Sequence, residues 1–546
     1  MSHPPPYPRA RPPRLALWGF LWHCAMGVPA SIHAQPSDVA PPLSGEALAR
    51  QYCAACHLFP APELLDRRTW ATTTLRRMAP MLGAARLHLD SRPDGAWLRE
   101  ANIFPDHPLL PEADWLAIGR YYVENAPTVA LPQSPVPPLR PTTPGFRAQI
   151  LSLTNVEPAI TLVQIDPPDA PRKASWRPLP PAMAPSSPRP PRRLWLGDAR
   201  RSALHLLSPQ GRWIASTPVA SPPVRLSQDD TPPLLTLIGD LFPSDSKSGQ
   251  IVSLHPETNG FSTRPFLSHL KRPVDCVRVD LDADGRKDWV VAEFGNYLGR
   301  LTGFLRRDPS PPVEDVLVEF PGAIRTEVVD VESDGLPDLV TLFGQAREGI
   351  YLLHNRGHGA FDWVPWLHFP PTYGCTGFEL VDFDGNGSPD ILLTHGDNGD
   401  YPSPFKNYHG IRLFLNDGHH RFAEAWFYPL NGAFKAVARD FDRDGDLDIA
   451  AIAFFPDYAR NPAESFVYLE NLGGLKFEAS TLPEANSGRW LTMDAGDLDD
   501  DGDLDVVLGS FVDGPRTVPI PPALQAQWQR ERVAALLLRN QAVPDR

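Results

Sequence analysis

Two cysteines and a histidine lie close together near the start of the chain, in the order Cys53-Ala-Ala-Cys56-His57. Thiols at this spacing on one helical turn can add to the two vinyl groups of a single haem, and the adjacent imidazole then lies under the iron. A thioredoxin-like redox pair would need a βαβ setting and gives His57 no role, and a zinc site would need more cysteines or histidines nearby. The motif therefore predicts one covalent haem c held by Cys53, Cys56 and His57.

An electron-carrying haem normally has a second strong-field ligand on the other side of its iron. Downstream of the motif the sequence offers the thioethers of Met78 and Met81 and the imidazoles of His88 and His107. We predict Met78 as this ligand. Met81, a histidine and an open position are the alternatives.

Two predicted helices would enclose the haem. Ser44 can cap a helix that leads into the motif, and a second helix is predicted at Glu112–Asn125, ending before Pro127. This helix pair around a CxxCH motif resembles the small bacterial cytochrome c domain. The resemblance implies a monohaem cytochrome c domain over residues 43–127.

Five nine-residue segments share the pattern D-x-D-x-D-G-x-x-D, with one Glu and one Asn replacement among them. Oxygens at positions 1, 3, 5 and 9 and a backbone carbonyl at position 7 can surround a calcium ion, and glycine at position 6 allows the sharp turn. The pattern predicts about five bound Ca²⁺. The predicted ligands are Asp280, Asp282, Asp284, Asp288, Asp330, Glu332, Asp334, Asp338, Asp382, Asp384, Asn386, Asp390, Asp440, Asp442, Asp444, Asp448, Asp497, Asp499, Asp501 and Asp505.

The acidic segments mark a long internal repeat. They begin at residues 280, 330, 382, 440 and 497, each precedes a short apolar strand, and two further units lie upstream near residues 160–198 and 224–240. Seven β-rich units of this length predict a seven-bladed propeller. The last unit lacks a fourth strand, and residues 146–153 could supply it and so remove an open edge.

Over residues 146–540 the repeats resemble the FG-GAP or VCBS repeat family, the propeller architecture of integrin α-subunit heads. The combination of the two parts resembles exported bacterial proteins that join a cytochrome c to such a propeller. The implied fold class is multidomain, a small all-α cytochrome c domain plus an all-β seven-bladed propeller. The resemblance implies the fold more strongly than the function.

The first 34 residues have the features of a signal peptide. Arg9, Arg11 and Arg14 precede an apolar stretch at residues 15–28, and a cleavage site is predicted after Ala34. A membrane anchor would need a longer apolar stretch, and no other segment could span a membrane. We therefore expect a periplasmic or extracellular protein of bacterial origin.

The net charge bears on the class of partner. The full chain has a formal net charge of −14, and removal of residues 1–34 takes away three arginines and no acid, which gives −17. This excess of acid argues against nucleic acid and against an anionic membrane surface as partners.

The remaining segments concern docking. Residues 128–145 form a proline-rich linker that we expect to be extended and long enough for the cytochrome domain to reach either face of the propeller. Long insertions near residues 395–409 and 454–466 should share the face opposite the acidic loops. The same face should carry Arg272, Arg325, Tyr373, Lys435, Arg489 and Trp490, either as solvated charges and blade-packing aromatics or as a basic, aromatic funnel.

Three functions follow from this organisation. Electron transfer is favoured, with the propeller as a docking platform for a redox partner protein or for an anionic or sugar-like ligand. The alternatives are an oxidoreductase that passes substrate electrons to the haem, and a polysaccharide-binding or adhesion propeller. His395, Asp397, Asp400 and His409 are acid–base candidates, but no catalytic triad or cofactor fingerprint supports them, so no catalytic residue is assigned. Cys276 and Cys375 are expected to be buried thiols.

Overall fold

The computed structural model describes residues 43–153, 156–167, 192–258, 260–399 and 405–542. The predicted signal peptide and its cleavage site after Ala34 lie outside these residues. Helices occupy the region before residue 127 and a few later insertions, and the rest of the described chain is dominated by β-strands. Among the described helices, none combines the length and the apolar character needed to cross a membrane.

The helical region, residues 43–127, contains five α-helices. They are α1 Gly45–Cys53, α2 Arg67–Thr69, α3 Leu75–Met78, α4 Gly95–Glu100 and α5 Glu112–Asn125. A π-helical turn at Trp70–Thr74 joins α2 to α3, and 3₁₀ turns lie at Pro62–Leu64, Ala79–Leu82 and Leu89–Ser91. The Ser44 hydroxyl accepts the backbone N–H of Ala47, and α5 has the bounds that the sequence predicted. Both helix predictions are confirmed.

Helices α1 and α5 pack face to face. Leu48 and Ala49 of α1 contact the same core as Ile118 and Tyr122 of α5, and all four are buried. The spacing of four between Ile118 and Tyr122 places both on one face of α5. Gly45 makes the close approach possible, because a Cβ there would lie 2.4 Å from the carbonyl oxygen of Ala117.

The strands form seven four-stranded antiparallel sheets, which confirms the seven-bladed propeller. The first three blades are β2 Ile160–Ile165, β3 Leu194–Asp198, β4 Ala203–Leu207, β5 Trp213–Pro218; β6 Pro223–Ser227, β7 Leu234–Leu237, β8 Gly249–Glu257, β9 Gly260–Leu270; and β10 Pro273–Val279, β11 Asp288–Glu293, β12 Arg300–Arg307, β13 Ser310–Val318. Blades 4 to 6 are β14 Ala323–Val329, β15 Asp338–Phe343, β16 Gly349–Asn355, β17 Phe361–His368; β18 Cys375–Val381, β19 Asp390–His395, β20 Gly410–Asn416, β21 Phe422–Pro429; and β22 Ala433–Arg439, β23 Asp448–Ala453, β24 Phe466–Asn471, β25 Phe477–Ser480. Blade 7 is β26 Trp490–Gly496, β27 Asp505–Ser510, β28 Val533–Asn540 and β1 Phe146–Ser152.

The ring closes with strands from both ends of the propeller sequence. Strand β1 lies antiparallel to β28, with Phe146 opposite Asn540 and Ile150 opposite Leu536. The aromatic ring of Phe146 packs against Phe441 and Tyr468 of blade 6. The predicted closure is confirmed, and the last blade has no open edge at β28.

Burial falls from the middle of each blade towards its rim. Every residue of β19 and β23 is buried, because a second strand is covered by neighbouring blades on both sides. The fourth strand β17 alternates between partly buried and exposed residues, as expected for a strand with one face in solvent. Cys276 and Cys375 are buried free thiols on the first strands of blades 3 and 5, as predicted.

The propeller has two distinct faces. The loops between the first and second strands of blades 3 to 7 carry the acidic segments, and we name their side the acidic face. The opposite side, here the helical face, carries residues 396–399 and 405–409 of one insertion, residues 454–465 of another, and the helix α6 Pro522–Glu531. Tyr408 in the first of these insertions donates its hydroxyl to the carbonyl of Leu64 at 2.9 Å. The helical region therefore rests on the helical face.

The linker follows one path along the rim of the propeller. Near its start, the side-chain amide of Gln133 donates to the carbonyl of Phe405 on the helical face. Further along, Arg140 exchanges backbone hydrogen bonds with Ala479 and Thr481 beside β25, before the chain enters β1 on the acidic side. The expectation that the linker could reach either face is corrected, because these bonds hold it against blades 5 and 6.

Candidate functional sites

The two thiols of the CxxCH motif lie at the carboxyl end of α1. Cys53 is the last residue of α1 and packs against the helical core, whereas Cys56 is exposed. Burial has the largest effect on the pKa of the Cys53 thiol and raises it. The neighbouring Tyr122 hydroxyl lowers this pKa, and the Cys56 thiol raises it. The structure therefore brings the two thiols close together, with Cys53 beside Tyr122 at the core and Cys56 exposed to solvent.

The histidine of the motif has the tautomer that a metal ligand needs. The Nδ1 of His57 lies 2.8 Å from the carbonyl oxygen of Leu58, and a carbonyl can only accept, so Nδ1 carries the proton. The Nε2 then presents a lone pair. Burial lowers the pKa of His57, which favours the neutral ring. These residues fit a covalent haem with a proximal imidazole.

The candidates for the sixth ligand lie on the segment that follows the π-helical turn. Met78 ends α3, Met81 lies in the 3₁₀ turn Ala79–Leu82, and both are half-buried. His88 and His107 are exposed. The choice of Met78 stays a prediction.

Four of the five acidic loops gather three carboxylates within 4.8 Å of one another. The groups are Asp280, Asp282 and Asp288; Asp382, Asp384 and Asp390; Asp440, Asp442 and Asp444; and Asp497, Asp499 and Asp501. In the second group Asp382 is 8% exposed, and its Oδ1 has no hydrogen-bond partner among the described residues. An unpaired buried carboxylate oxygen is costly unless a cation or a proton satisfies it. The chemistry of the donor set therefore fits Ca²⁺.

The loop of blade 4 differs from the other four. His354 lies between two of its carboxylates, with Nδ1 3.0 Å from Asp338 and Nε2 3.3 Å from Glu332. Among the described residues, no three acidic side chains of this loop meet. An imidazole therefore lies between two carboxylates in this loop.

Arginines neutralise two of the remaining loops. Arg307 lies 2.7 Å from Asp282 in blade 3, and Arg539 lies 3.4 Å from Asp499 in blade 7. The loops that begin at Asp382 and Asp440 have no such pairing among the ion pairs of the described chain. Calcium is therefore expected to matter most in blades 5 and 6.

A recurring clamp was missed by the sequence reasoning. The last Asp of each acidic segment accepts two backbone N–H groups, one from inside its own loop and one from the end of the third strand. In blade 5, Asp390 accepts from Phe383 and Asn416. In blades 4 to 7 the third-strand residue is an asparagine whose amide donates to a carbonyl of the loop. These are Asn355, Asn416, Asn471 and Asn540.

The residues predicted around the centre of the helical face do not form an exposed basic funnel. Arg489 is fully buried, donates to the carbonyls of Phe454 and Pro515, and stacks over the Phe454 ring at 3.8 Å. Lys435 donates to the carbonyl of Met493 at 2.6 Å. Burial is the main influence on Lys435 and lowers its pKa to about 8. The two basic groups are bonded inside the propeller, so neither the solvated-charge interpretation nor the exposed funnel describes them.

The other predicted residues of that face are also engaged. Arg272 is 8% exposed and donates to three backbone carbonyls, and Trp490 is fully buried. Arg325 pairs with Glu327 at 3.0 Å, and Tyr373 stacks on Tyr408 with 4.6 Å between ring centres. Their contacts stabilise the face.

The acid–base candidates belong to one insertion in blade 5. His395 and His409 are almost fully buried at its two ends, and each ring has a pKa well below its ordinary value because of burial and neighbouring cations. Asp397 follows His395, and Asp400 lies outside the described residues. The structure thus brings two neutral imidazoles into one buried polar cluster.

A comparison with known protein families identifies the repeat. A profile of FG-GAP-like repeats matches residues 330–393, which run from the acidic loop of blade 4 into the second strand of blade 5. Fold and repeat together define a seven-bladed β-propeller with an FG-GAP-like repeat. No curated protein matches the chain.

Several solved structures are similar to the chain at low identity. The crystal structure of BBS1N in complex with ARL6DN, soaked with lead, is 10% identical, with a TM-score of 0.37, over 64% of this chain and 87% of that one. The virginiamycin B lyase from Staphylococcus aureus is 12% identical, with a TM-score of 0.38, over 62% of this chain and 89% of that one. The Dos1 propeller is 10% identical, with a TM-score of 0.35, over 64% of this chain and 74% of that one.

Proposed function

We propose that this protein is an exported monohaem cytochrome c that acts in electron transfer, with its propeller as the platform on which the helical region and a redox partner protein are positioned. The observation that carries the proposal is the state of His57. Its Nδ1 proton is bound by the Leu58 carbonyl, so a neutral Nε2 is available next to Cys53 and Cys56. This is the donor set of a covalently attached haem.

The residues around the motif suit that role. Cys53 and Cys56 would form the two thioethers, His57 the proximal ligand and Met78 the distal ligand. Haem bound there would supply a one-electron iron couple. The buried rings of Trp70 and Tyr122 would keep water from one side, and the exposed Cys56 would leave one edge near solvent, where a partner can approach.

The position of the helical region on the propeller defines the role of the propeller in this proposal. Contacts on blades 2, 3 and 5 hold the region against the helical face, and the linker lies along blades 5 and 6. A haem carried there would have a fixed orientation relative to the propeller. The partner would therefore bind to a composite surface made from the helical region and the helical face.

We assign calcium a structural role in the propeller. Asp382 and its equivalents would hold Ca²⁺ in up to five loops, with the four loops that gather three carboxylates as the first candidates. The ions would offset the crowded negative charge on the acidic face, far from the proposed haem. Export to the periplasm or the cell exterior is part of the same proposal, since bacteria attach haem c outside the cytoplasm.

Visible spectroscopy of the purified holoprotein tests electron transfer. We expect covalent haem that is reduced and reoxidised reversibly in a one-electron titration. Replacement Met78→Ala should remove the sixth ligand and shift the spectrum and potential, whereas the control Met81→Ala should leave both unchanged. A haem that cannot be reduced, or a protein without haem, would contradict the proposal. The reverse result for the two methionines would change only the ligand.

A further inference from the structure

One buried polar cluster of the propeller has no part in the proposed haem or calcium sites. It lies at the helical face, where the insertion of blade 5 leaves the sheet after His395 and returns before Gly410. The two stems of the insertion face each other. The ammonium group of Lys406 on one stem lies 3.4 Å from the carbonyl oxygen of Asp397 on the other.

The state of His395 can be deduced from its neighbours. Its Nδ1 lies 3.2 Å from a guanidinium nitrogen of Arg412, and a guanidinium can only donate, so Nδ1 accepts. The ring proton of the neutral imidazole must then be on Nε2. That N–H is fully buried and has no acceptor among the described residues. An unpaired buried donor of this kind calls for a partner.

The same stem carries a second unsatisfied group. Asn398 is 1% exposed, and neither the oxygen nor the nitrogen of its amide has a hydrogen-bond partner in the described chain. The backbone before it is fixed, because the N–H groups of Gly396 and Asp397 both donate to the carbonyl of Gly374. Asn398 therefore offers an NH₂ group that donates and a carbonyl oxygen that accepts, both from a well-held position.

The charges around these groups are largely balanced. Arg412 pairs with Glu424 at 3.1 Å and lies over the Phe427 ring. Glu348 is buried beside the cluster, and burial raises its pKa to about 8, so it is protonated at neutral pH. Neutral donors and acceptors between aromatic rings match hydroxyl groups, which both donate and accept.

We infer that His395 and Asn398, together with His409 and Glu348, form a binding site for a small neutral polyhydroxyl compound, a sugar or polyol. Tyr408 continues the site towards the helical region, since its ring stacks on Tyr373 and its hydroxyl donates to Leu64. The ligand would lie beneath the helical region. This inference does not require the haem.

Calorimetric titration of the purified full-length protein tests the inference. The probes are glucose, galactose, mannose, sucrose, xylitol and glycerol, with glucuronate and inorganic phosphate as anionic comparisons. We expect saturable one-to-one binding of at least one neutral compound and weaker binding of the anions. Asn398→Ala should lower the affinity about tenfold or more with an unchanged melting temperature, because no bond to the protein is lost.

Two variants keep the test interpretable. Asn416→Ala removes an equally buried asparagine whose amide is bonded to Pro389, so it should lower the melting temperature and leave the affinity intact. His395→Gln should weaken binding as Asn398→Ala does. Absence of saturable binding across the panel, binding of the anions alone, or a stoichiometric transition metal lost in His395→Gln would each overturn the inference.

Discussion

The backbone N–H of Asp245 in blade 2 donates to the carboxylate of Asp94 in the helical region at 3.1 Å. Both residues are buried, and Arg92 holds the same carboxylate in a two-pronged ion pair. Asp245 in turn accepts the backbone N–H groups of Asn296, Tyr297 and Leu298 in blade 3. One carboxylate of the helical region is thereby linked to two blades of the propeller.

Replacement Asp94→Ala should loosen this junction. The change removes a charge-assisted bond and leaves a buried N–H of Asp245 unpaired, at a cost of about 1–3 kcal/mol. Hydrogen exchange should become faster in residues 89–105 and in the loop around Asp245. The control Asp90→Ala removes a carboxylate that is almost fully exposed and pairs with Arg99 at the surface, so exchange should not change. Equal behaviour of the two variants would contradict the rigid junction.

Calcium removal should lower the melting temperature of the propeller. An ion that binds only the folded state stabilises it by about 2.7 kcal/mol when its free concentration is about 100 times Kd. Differential scanning calorimetry with and without excess chelator measures the shift. In Asp382→Asn the chelator should have a smaller effect, whereas Asp334→Asn, in the described loop where no three acidic side chains meet, should respond like the unmodified protein. A melting temperature that does not change when chelator is added would refute a structural role for calcium.

The asparagine clamp should matter for stability. The amide of Asn471 donates to Leu447 and its oxygen accepts the N–H of Gly473, and the side chain is 4% exposed. Asn471→Ala should lower the free energy of unfolding by about 2 kcal/mol, because buried backbone groups lose their partners. Urea denaturation provides the measurement. Asn125→Ala, at the exposed end of α5, should cost less than about 0.5 kcal/mol, and a similar loss in both variants would argue against the clamp.

Glu348 should impose a pH dependence on stability. Burial raises its pKa from 4.5 to about 8, so the folded state binds this proton more tightly than the unfolded state does. The associated stability is fully present below about pH 4.5 and is lost as the pH rises to about 8. Glu348→Gln lacks the ionisation. The difference in unfolding free energy between the protein and this variant should fall by up to about 1.4 kcal/mol per pH unit in that window, and a constant difference would be the contrary result.

Local patterns were enough to predict the helix at Glu112–Asn125 and the closing strand. The helix has an apolar face and a proline stop, and the seventh blade visibly lacks a strand that residues 146–153 can provide. Such features depend on short stretches of sequence and on counting repeats. These local features therefore predict the fold with little ambiguity.

The asparagine clamp and the buried Arg489 show what local patterns leave out. The sequence separation between the last Asp of the acidic loop and its asparagine varies with loop length, from 17 residues for Asp338 and Asn355 to 35 residues for Asp505 and Asn540. No fixed spacing in the sequence therefore identifies the pair. An Asn-x-Gly sequence after the third strand was the available signal in three blades. For Arg489, the carbonyls of Phe454 and Pro515 come from separate insertions, and only their packing decides that the guanidinium is buried.

The central claim is a single haem attached to the motif in the helical region. Expression in a bacterium that exports and matures c-type cytochromes, followed by proteolysis and mass spectrometry, tests it directly. We predict that the peptide containing Cys53, Cys56 and His57 carries the added mass of one haem, and that Cys53→Ala/Cys56→Ala abolishes haem staining on a denaturing gel. An unmodified peptide from such a host, or a double variant that keeps its stained haem, would contradict the account.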